Sequence, residues 1–525
     1  MTRRIDLAAF LLPGLLGAAM LLLSVWLGPD ASWDLRNYHL YDAFAAFHKP
    51  GFLDLVPAQR QTFHPPMLDL PPLWLRFRLN HWPRLLDALL ALPSAIAVML
   101  AWCIGRLIQP ADMPYARVSL MLAVLFGATG AAGLPTTGTS MSEMPAACFA
   151  LAGLALLLVG RPAGAPWHHR ALLDLCAGIG FGVGCALKPT LAGLALAAVM
   201  AVLSCGVGPL PRRFGRVASV AAGIGLGALL IGGPWWWHLA RLTGSPLFPY
   251  ENQLFRSPLY PQAALTDDRF LPRSELQALF YPFFWSLAPS RLSSELLVRD
   301  PRLALAFLAM ICCGLIAFLR SARPIGDRRG GVLLVFLSAG FLIWEAQFGV
   351  LRYLAPIELL SGLVVLEALQ PLRHIRRTWA PIVPPAVMAV LLLGSASLTI
   401  YPDWGRAPAS MTAASVQLPP LPPDAMVLLL TPDPMAYVAA FAPRTVRFVG
   451  VDNNLVHPGQ DSVLERRIEQ AVRQHAGPLF GLEVPAAGGP AAFALRFYAL
   501  HRDGPCWPVR TNLEQDGLQI CRLAH

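Results

Sequence analysis

Long apolar segments alternate with short polar turns over the first 400 residues of the chain. A helix needs about 20 mostly apolar residues to cross a bilayer. Eleven segments approach or exceed this length: 7–27, 84–108, 115–133, 143–160, 171–187, 189–207, 217–238, 302–319, 331–350, 354–370 and 381–400. Because Lys188-Pro189 lies in its middle, the segment 171–207 is compatible with two spans or with one helix broken at this pair. The pattern predicts an α-helical polytopic membrane protein with about 11 transmembrane helices.

The composition agrees with a membrane location and excludes an ordinary soluble domain. Hydrophobic residues make up 55% of the 525 positions and charged residues 14%, and the mean hydropathy is +0.52. The net charge of +10 comes from arginines in short turns between apolar segments. Such clusters are typical of cytoplasmic loops, so we predict no nucleic-acid partner.

The same arginines predict the orientation of the chain. Arg3 and Arg4 precede the first span, and the positive-inside rule places them in the cytoplasm. Alternating spans then bring the other arginine-rich turns to the same side. No small-residue cleavage site follows the first apolar segment, which we therefore expect to be retained as a span. Three segments, 28–83, 239–301 and 401–525, are predicted to lie on the outer face, which is the periplasm for a bacterial inner membrane.

The two outer loops and the tail differ in character. Residues 35–45 have apolar positions at helical spacing, which predicts a helix lying on the membrane surface. Loop 239–301 is rich in proline and aromatic residues, the composition of an interfacial lid. The tail, 401–525, alternates short strands (426–430, 445–449, 478–484) with helical patterns (434–441, 461–474, 490–500). This alternation predicts a small periplasmic α/β domain that follows a transmembrane domain of residues 1–400.

Cys506 and Cys521 lie in this polar tail, where an oxidising compartment would permit a disulfide between them. The other seven cysteines lie in or beside apolar segments and have no metal-ligand spacing. The tail has no phosphate-binding glycine loop or zinc-ligand spacing. We therefore predict no metal site there.

Three motifs carry the candidate chemistry. Trp33-Asp34-Leu35-Arg36-Asn37-Tyr38-His39-Leu40-Tyr41 follows the first span, Ser140-Met141-Ser142-Glu143-Met144-Pro145 precedes the fourth, and Leu351-Arg352-Tyr353-Leu354-Ala355-Pro356 lies at the outer end of a late span. Together they resemble the motifs of the GT-C superfamily of membrane glycosyltransferases, which use polyprenyl-phosphate sugars. The stretches at 63–71 and 280–285 are similar to uncharacterised bacterial membrane proteins of that superfamily. His64 stands where asparagine is expected in such relatives.

The resemblance implies roles for individual residues. Asp34 would be the general base that takes the proton of an acceptor hydroxyl as it attacks the sugar C1. Cationic side chains would stabilise the phosphate of the leaving polyprenyl group. The implied donor-phosphate residues are Arg352, Lys188 and Tyr353, and the implied acceptor-side residues are Glu143, Tyr38, His39 and His64. No cofactor is predicted; a divalent cation beside Asp34 and Glu143 stays open, but two carboxylates alone are weak support for one.

Each of these residues also has a structural interpretation. Asp34 and Glu143 could cap the helices that they precede or begin. Arg352 could form a structural pair with Glu345 or Glu358, and Lys188 could extend to the membrane interface.

Further polar residues of the outer segments receive structural interpretations only. Asp42, Asp54 and Asp69 share the first outer loop with Asp34 and are expected to be solvated surface groups. The segment 452–457 in the tail is expected to be a turn rather than a ligand site.

Three functions are compatible with the sequence. The first is an inner-membrane glycosyltransferase that moves a sugar from a polyprenyl-phosphate donor to a periplasm-facing lipid, glycan or protein acceptor. The second is a transporter or flippase of lipid-linked saccharides, although transporters concentrate polar groups near the midplane in related halves, which this chain lacks. The third is a non-catalytic membrane scaffold that uses the periplasmic tail. The outer position of the motifs favours the enzyme.

Overall fold

The computed structural model describes residues 7–49, 54–109, 115–159, 167–206, 209–319, 328–374, 379–408, 410–514 and 517–525. Arg3, Arg4 and the predicted cytoplasmic turns at 161–166 and 320–327 lie outside the described residues. The cytoplasmic position of the N-terminus therefore stays a prediction.

Helices dominate the described residues. In chain order they are α1 (Leu7–Leu27), α2 (Leu40–His48), α3 (Leu70–Arg78), α4 (Pro83–Leu90), α5 (Leu92–Ile108), α6 (Ala116–Ala128), α7 (Glu143–Leu158), α8 (Trp167–Leu187), α9 (Ala192–Cys205), α10 (Leu210–Thr243), α11 (Asn252–Phe255), α12 (Glu275–Leu279), α13 (Arg302–Leu319), α14 (Arg328–Gln347), α15 (Ala355–Leu369), α16 (Val383–Leu398), α17 (Val463–Arg473) and α18 (Gly488–Phe497). Each predicted apolar segment coincides with one of these helices or, for 84–108, with the consecutive helices α4 and α5.

The helices make this a multi-pass membrane protein. Within the described residues, six helical stretches are long and apolar enough to cross a membrane, and five further apolar helices are shorter. The segment 171–207 forms two separate helices, α8 and α9, with a single 3₁₀ turn at Pro189–Leu191 between them. How many helices cross the bilayer stays a prediction.

Helix α15 is the most buried helix of the bundle. Every residue from Ala355 to Glu367 is buried, and α6, α13 and α16 pack around the helix. Gly127 and Gly362 lie where α6 and α15 approach most closely, and a Cβ atom at either position would overlap backbone atoms of the other helix. Small residues permit this contact between membrane helices. The Arg352 motif runs into the first two residues of α15, so its position is set by this well-packed helix.

The tail forms a six-stranded sheet among the described residues. Its strands are β1 (Val416–Gln417), β2 (Met426–Leu429), β3 (Arg447–Gly450), β4 (Leu479–Glu483), β5 (His501–Thr511) and β6 (Leu518–Ala524). They are arranged in the order β1-β5-β6-β4-β2-β3. β3, β2 and β4 are parallel, whereas β6, β5 and β1 are added antiparallel. The predicted α/β character of the tail is confirmed.

Strands β5 and β6 were not predicted from the sequence. β5 contains Pro505, Pro508 and several charged residues, which disfavour a strand assignment from local pattern alone. The structure joins Cys506 on β5 to Cys521 on β6 by a disulfide, so the two candidate cysteines lie opposite each other in this pair of strands.

The first outer loop packs on the tail, and the expectation of a helix lying on the membrane surface is wrong in this respect. Leu35, Tyr38, Tyr41 and Phe44 are buried in one hydrophobic cluster with the tail segment Ala436–Phe441. Helix α2 is amphipathic as expected, but its apolar face is covered by the tail and not by the membrane surface. The tail therefore supports the loop that carries Asp34.

Candidate active site

The Asp34 carboxylate lies in a buried ion pair with Arg352. Arg352 Nη1 donates to Asp34 Oδ2 at 2.7 Å, and the Tyr38 hydroxyl donates to the same oxygen at 3.3 Å. The Asp34 side chain is 7% exposed and makes no capping hydrogen bond, whereas Ser32 Oγ accepts from the Leu35 N–H. The helix-cap interpretation of Asp34 is therefore wrong.

Glu143 and Lys188 form a second ion pair beside the first. Lys188 Nζ donates to Glu143 Oε1 at 2.8 Å and to Ser142 Oγ at 2.9 Å. Arg352 Nε lies 3.5 Å from the same Glu143 oxygen, so the two pairs are connected. Glu358, an alternative partner for Arg352, instead accepts backbone N–H bonds from residues 132 and 133.

Two aromatic rings border these cations. The Lys188 ammonium lies 5.2 Å from the centre of the Tyr353 ring, and the Arg352 guanidinium lies 5.6 Å from that ring. Trp404, from the tail, lies 5.3 Å from the Arg352 guanidinium. Such distances are typical of cation–π contacts. Sequence reasoning missed Trp404, because a single tryptophan in a loop carries no local signal.

The remaining predicted residues lie on the other side of Tyr38. Its ring centre is 4.0 Å from that of His39 and 5.4 Å from that of His64. His39 Nδ1 lies 2.6 Å from Asp69 Oδ1, and His64 Nε2 lies 3.0 Å from the Tyr250 hydroxyl. Tyr250 belongs to the second outer loop, so both outer loops contribute to the site.

Asp30 connects two of the three motifs and was also missed. Its Oδ2 accepts from both the backbone N–H and the hydroxyl of Ser140 at 2.7 Å. Its Oδ1 accepts from the Ser32 N–H at 2.9 Å, and Arg76 pairs with Oδ2 at 3.4 Å. Asp30 thus fixes the segment that precedes Asp34 against the segment that precedes Glu143.

The neighbouring charges determine the protonation of the groups outside the spans. Burial opposes ionisation of Asp34, but Arg352, His39 and Lys188 together hold the pKa of its carboxyl below the ordinary value. Burial, reinforced by Lys188 and His39, lowers the pKa of His64 to about 3, so His64 is neutral at physiological pH. The site therefore contains an ionised carboxylate, Asp34, and a neutral imidazole, His64. Tyr38 contacts both, the first through its hydroxyl and the second through its ring.

Three acidic residues expected at the surface are buried instead. Asp42 is 5% exposed, Asp54 1% and Asp69 4%. Asp54 pairs with Lys49, and Asp69 pairs with His39. The expectation of solvated carboxylates is wrong because the tail covers this loop.

Asp42 gives a pH-dependent prediction. Within the described part of the chain neither of its carboxylate oxygens has a hydrogen-bond partner, and burial, with a smaller effect of Asp69, raises its pKa well above the ordinary value. The folded state then binds a proton that the unfolded state releases, so this residue destabilises the fold as pH rises above about 3.9. We expect Asp42→Asn to raise the thermal unfolding temperature at pH 7 and to match wild type near pH 4. A difference that is the same at both pH values would contradict this.

A divalent cation does not fit the donor set of this site. The carboxylates of Asp34 and Glu143 are each engaged by a cationic side chain. In the part of the chain that the structure describes, no group of three or more His, Cys, Asp or Glu side chains could hold a metal ion. Hard divalent cations require about six oxygen ligands. Arg352 and Lys188 supply the positive charge between these carboxylates.

The segment 452–457 is a turn, as expected from its composition. Asn453 Oδ1 accepts two backbone N–H bonds within the turn, and Asn454 Oδ1 accepts from the Arg60 N–H at 3.0 Å. His457 pairs with Asp452 at 2.8 Å on the surface. The turn thus joins the tail to the first outer loop by a hydrogen bond.

All eight residues that the sequence singled out for chemistry in the membrane domain lie together. They are Asp34, Tyr38, His39, His64, Glu143, Lys188, Arg352 and Tyr353. Cys506 and Cys521 belong to the sheet of the tail. The roles of the eight stay predictions.

Comparison with known proteins gives a match in structure only. No family model matches the sequence, and no curated protein matches it. ArnT from Cupriavidus metallidurans bound to undecaprenyl phosphate is similar with a TM-score of 0.55 and 12% identity, over 99% of this chain and 98% of that chain. The apo form of ArnT gives a TM-score of 0.53 at 12% identity, over 98% of this chain and 97% of that chain. The oligosaccharyltransferase AglB from Archaeoglobus fulgidus has a TM-score of 0.44 at 12% identity, over 89% of this chain and 69% of that chain.

The chain has the GT-C fold. The similarity to ArnT extends over nearly the full length of both chains, so it includes the tail as well as the helices. At the level of the fold, the resemblance inferred from the three motifs is confirmed. In this GT-C fold the two ion pairs lie at the outer ends of α7 and α15, according to the predicted orientation.

Proposed function

We propose that the protein is a membrane glycosyltransferase that transfers a sugar from a polyprenyl-phosphate donor to an acceptor on the periplasmic face. The observation that supports this most directly is the meeting of the Asp34–Arg352 and Glu143–Lys188 pairs in a chain of GT-C fold. A carboxylate and two cations within one buried site match the needs of the reaction. The carboxylate takes a proton, and the cations stabilise a phosphate.

Arg352 and Lys188 bind the donor phosphate in this proposal. ArnT was solved with undecaprenyl phosphate bound, which supports a donor of the same lipid class here. A guanidinium can grip two phosphate oxygens at once, and an ammonium adds a point charge. Within the described residues, the buried Arg352 Nε makes no hydrogen bond and lies 3.5 Å from the Glu143 carboxylate, so a phosphate oxygen that approaches closer can take this donor.

Asp34 is the general base. The acceptor oxygen forms a bond to the sugar C1 while its proton passes to the Asp34 carboxylate. The bond between C1 and the phosphate oxygen breaks, and the polyprenyl phosphate leaves with the electron pair. Because the leaving group is already a stable anion, no general acid is needed. A base positioned in this way contributes about 10²–10⁴-fold to the rate.

The Asp34–Arg352 ion pair links the basicity of Asp34 to donor binding. Without a donor, Arg352 holds Asp34 and lowers the pKa of its carboxyl, which makes Asp34 a poor proton acceptor. A donor phosphate competes for the guanidinium. As Arg352 turns toward the phosphate, Asp34 loses its strongest stabilising partner and becomes a stronger base. Proton transfer is thereby coupled to donor binding.

The decisive experiment detects bond cleavage in the donor. Purified protein in lipid vesicles is given a labelled polyprenyl-phosphate sugar and a membrane extract as the source of acceptor. The proposal predicts release of free polyprenyl phosphate together with transfer of the label to the acceptor fraction. A transporter would move the intact donor across the vesicle membrane, and a scaffold would leave it unchanged. Either of these results would overturn the proposed function.

Removing the Lys188 charge should weaken donor binding more than turnover. We combine Lys188→Met with Glu143→Gln, because a buried carboxylate without its partner would itself destabilise the protein. Loss of one charge-assisted contact to phosphate is expected to raise the donor KM about tenfold. An exposed arginine of the second outer loop supplies the control, Arg256→Met. An unchanged KM in the double variant would remove Lys188 from the donor site.

A further inference from the structure

His39 and Asp69 form a third buried ion pair at the site. Their side chains are 3% and 5% exposed, and the Nδ1–Oδ1 distance is 2.6 Å. His39 is the last residue of the helical turn that follows Asp34, and Asp69 is the residue before α3. The pair therefore joins two parts of the first outer loop.

The second ring nitrogen of His39 is unused. Among the described residues, the buried Nε2 atom has no hydrogen-bond partner. The imidazole ring lies 4.0 Å, centre to centre, from the ring of Tyr38, whose hydroxyl contacts Asp34. The titratable or charged groups that face His39 from the surrounding elements are Asp34, Tyr38, His64, Asp69 and Lys188. Asp42, on the helix that follows, interacts with Asp69.

We propose that His39 is a third cation of the donor-phosphate site and that Asp69 is the positioning residue that keeps it protonated with Nε2–H directed at the ligand. This inference rests on the proposed function. Asp69 occupies Nδ1, so only Nε2–H is left for a ligand. Burial opposes protonation, but the charge and the hydrogen bond of Asp69, together with the charge of Asp34, raise the pKa of His39.

The cationic hydrogen-bond donors of the site favour a phosphate as the partner of Nε2–H. At rest, each of the three cations Arg352, Lys188 and His39 is matched by one carboxylate. A sugar hydroxyl would bring no charge to this site. A phosphate brings the negative charge that three cationic donors can share, and charge-assisted bonds to phosphate are the strong ones. His39 differs from the other two cations in that an imidazolium loses its charge at a lower pH than an ammonium or a guanidinium.

Binding of undecaprenyl phosphate to the full-length protein in lipid nanodiscs tests this inference. Affinity is measured from about pH 5 to pH 9 for wild type, His39→Gln and Asp69→Asn, with uncharged undecaprenol as the control for binding of the tail. The ratio of wild-type to His39→Gln affinity cancels the titration of the ligand itself. Thermal unfolding of each variant is recorded in the same nanodiscs.

We expect His39→Gln to bind undecaprenyl phosphate about tenfold more weakly than wild type at low pH. The two should converge at high pH, and undecaprenol binding should be unaffected. In Asp69→Asn, His39 is retained but loses the carboxylate that favours its charged form. Affinity at low pH should therefore be kept, while the midpoint of its decline moves to lower pH.

Two outcomes would overturn the inference. One is a wild-type to His39→Gln affinity ratio that does not change with pH. The other is an Asp69→Asn midpoint equal to that of wild type, which stays informative even if His39→Gln fails to fold. The Arg352→Gln variant separates this from failure of the proposed function. If Arg352→Gln binds undecaprenyl phosphate like wild type, the whole proposed donor site is wrong. If Arg352→Gln loses binding but His39→Gln does not, only the role of His39 is wrong.

Discussion

Asp34→Asn is expected to lower the rate of sugar transfer by about 10²–10⁴-fold at saturating donor. Asparagine keeps the size of the side chain and its carbonyl can still accept the Arg352 bond, but it cannot take the acceptor proton. Because asparagine competes less strongly than a carboxylate for the Arg352 guanidinium, donor binding should be at least as tight as in wild type, and the loss should appear in kcat. The measurement is the initial rate of label transfer in vesicles.

The control for this substitution is another outer-loop aspartate. Asp268 is exposed, and Asp268→Asn removes the same charge from the same predicted face of the membrane. We expect this variant to transfer sugar like wild type. The unfolding temperature of Asp268→Asn should agree with that of wild type within about 2 °C, since surface substitutions usually cost under 0.5 kcal/mol. Because Asp34 is buried in an ion pair, the unfolding temperature of Asp34→Asn is recorded as well, and its rate is measured at a temperature where all three proteins are folded. A wild-type rate for Asp34→Asn would show that another group takes the proton.

Local pattern predicted the helices and three strands well, for a physical reason. Membrane helices must satisfy their backbone hydrogen bonds internally, so their length and apolar character are visible in the sequence itself. The parallel strands β2, β3 and β4 are buried except for Arg447 at the start of β3, and buried strands of this kind are short, mostly apolar runs. β5 is mostly exposed and includes prolines, so only its pairing with β6 reveals it as a strand.

The candidate site was predictable only in part. Asp34 and Arg352 belong to motifs, so a resemblance could single them out. Trp404, Asp30 and Asp69 act through contacts with residues distant in sequence, and no local pattern marks such contacts. The expectation that acidic residues after a span are solvated fails where a second domain covers the loop. Burial of this loop by the tail depends on the tertiary structure and cannot be read from the composition.

Because the tail supports the loop that carries Asp34, a substitution far from Asp34 that weakens this contact should strongly reduce stability and sugar transfer. Lys49 Nζ donates to Asp54 Oδ1 at 3.3 Å and to the Val446 carbonyl, and both side chains are 1% exposed. Asp54 also accepts from the Tyr41 hydroxyl at 3.1 Å and from the Phe448 N–H at 2.8 Å. One buried ion pair thus fastens α2 to strand β3.

We expect Lys49→Met to lower the free energy of unfolding by about 3–5 kcal/mol, because it leaves the Asp54 carboxylate buried without its partner. This loss is a large fraction of the about 5–15 kcal/mol by which folded domains are stable, so protease cleavage within 28–83 should increase and transfer should fall. Unfolding in detergent measures the first effect. The matched control is Arg444→Met, a neighbouring exposed cation whose removal should change stability little.

The double variant Lys49→Met, Asp54→Asn decides between a charge effect and a packing effect. If the unpaired carboxylate causes the loss, neutralising it should recover most of the stability, because no uncompensated charge is left in the interior. If lost packing of the lysine stem is the cause, the double variant should be no better than the single one. Recovery of stability together with sugar transfer would show that the tail supports catalysis by holding the Asp34 loop in place. Recovery of stability without transfer would instead assign this ion pair a further role at the site.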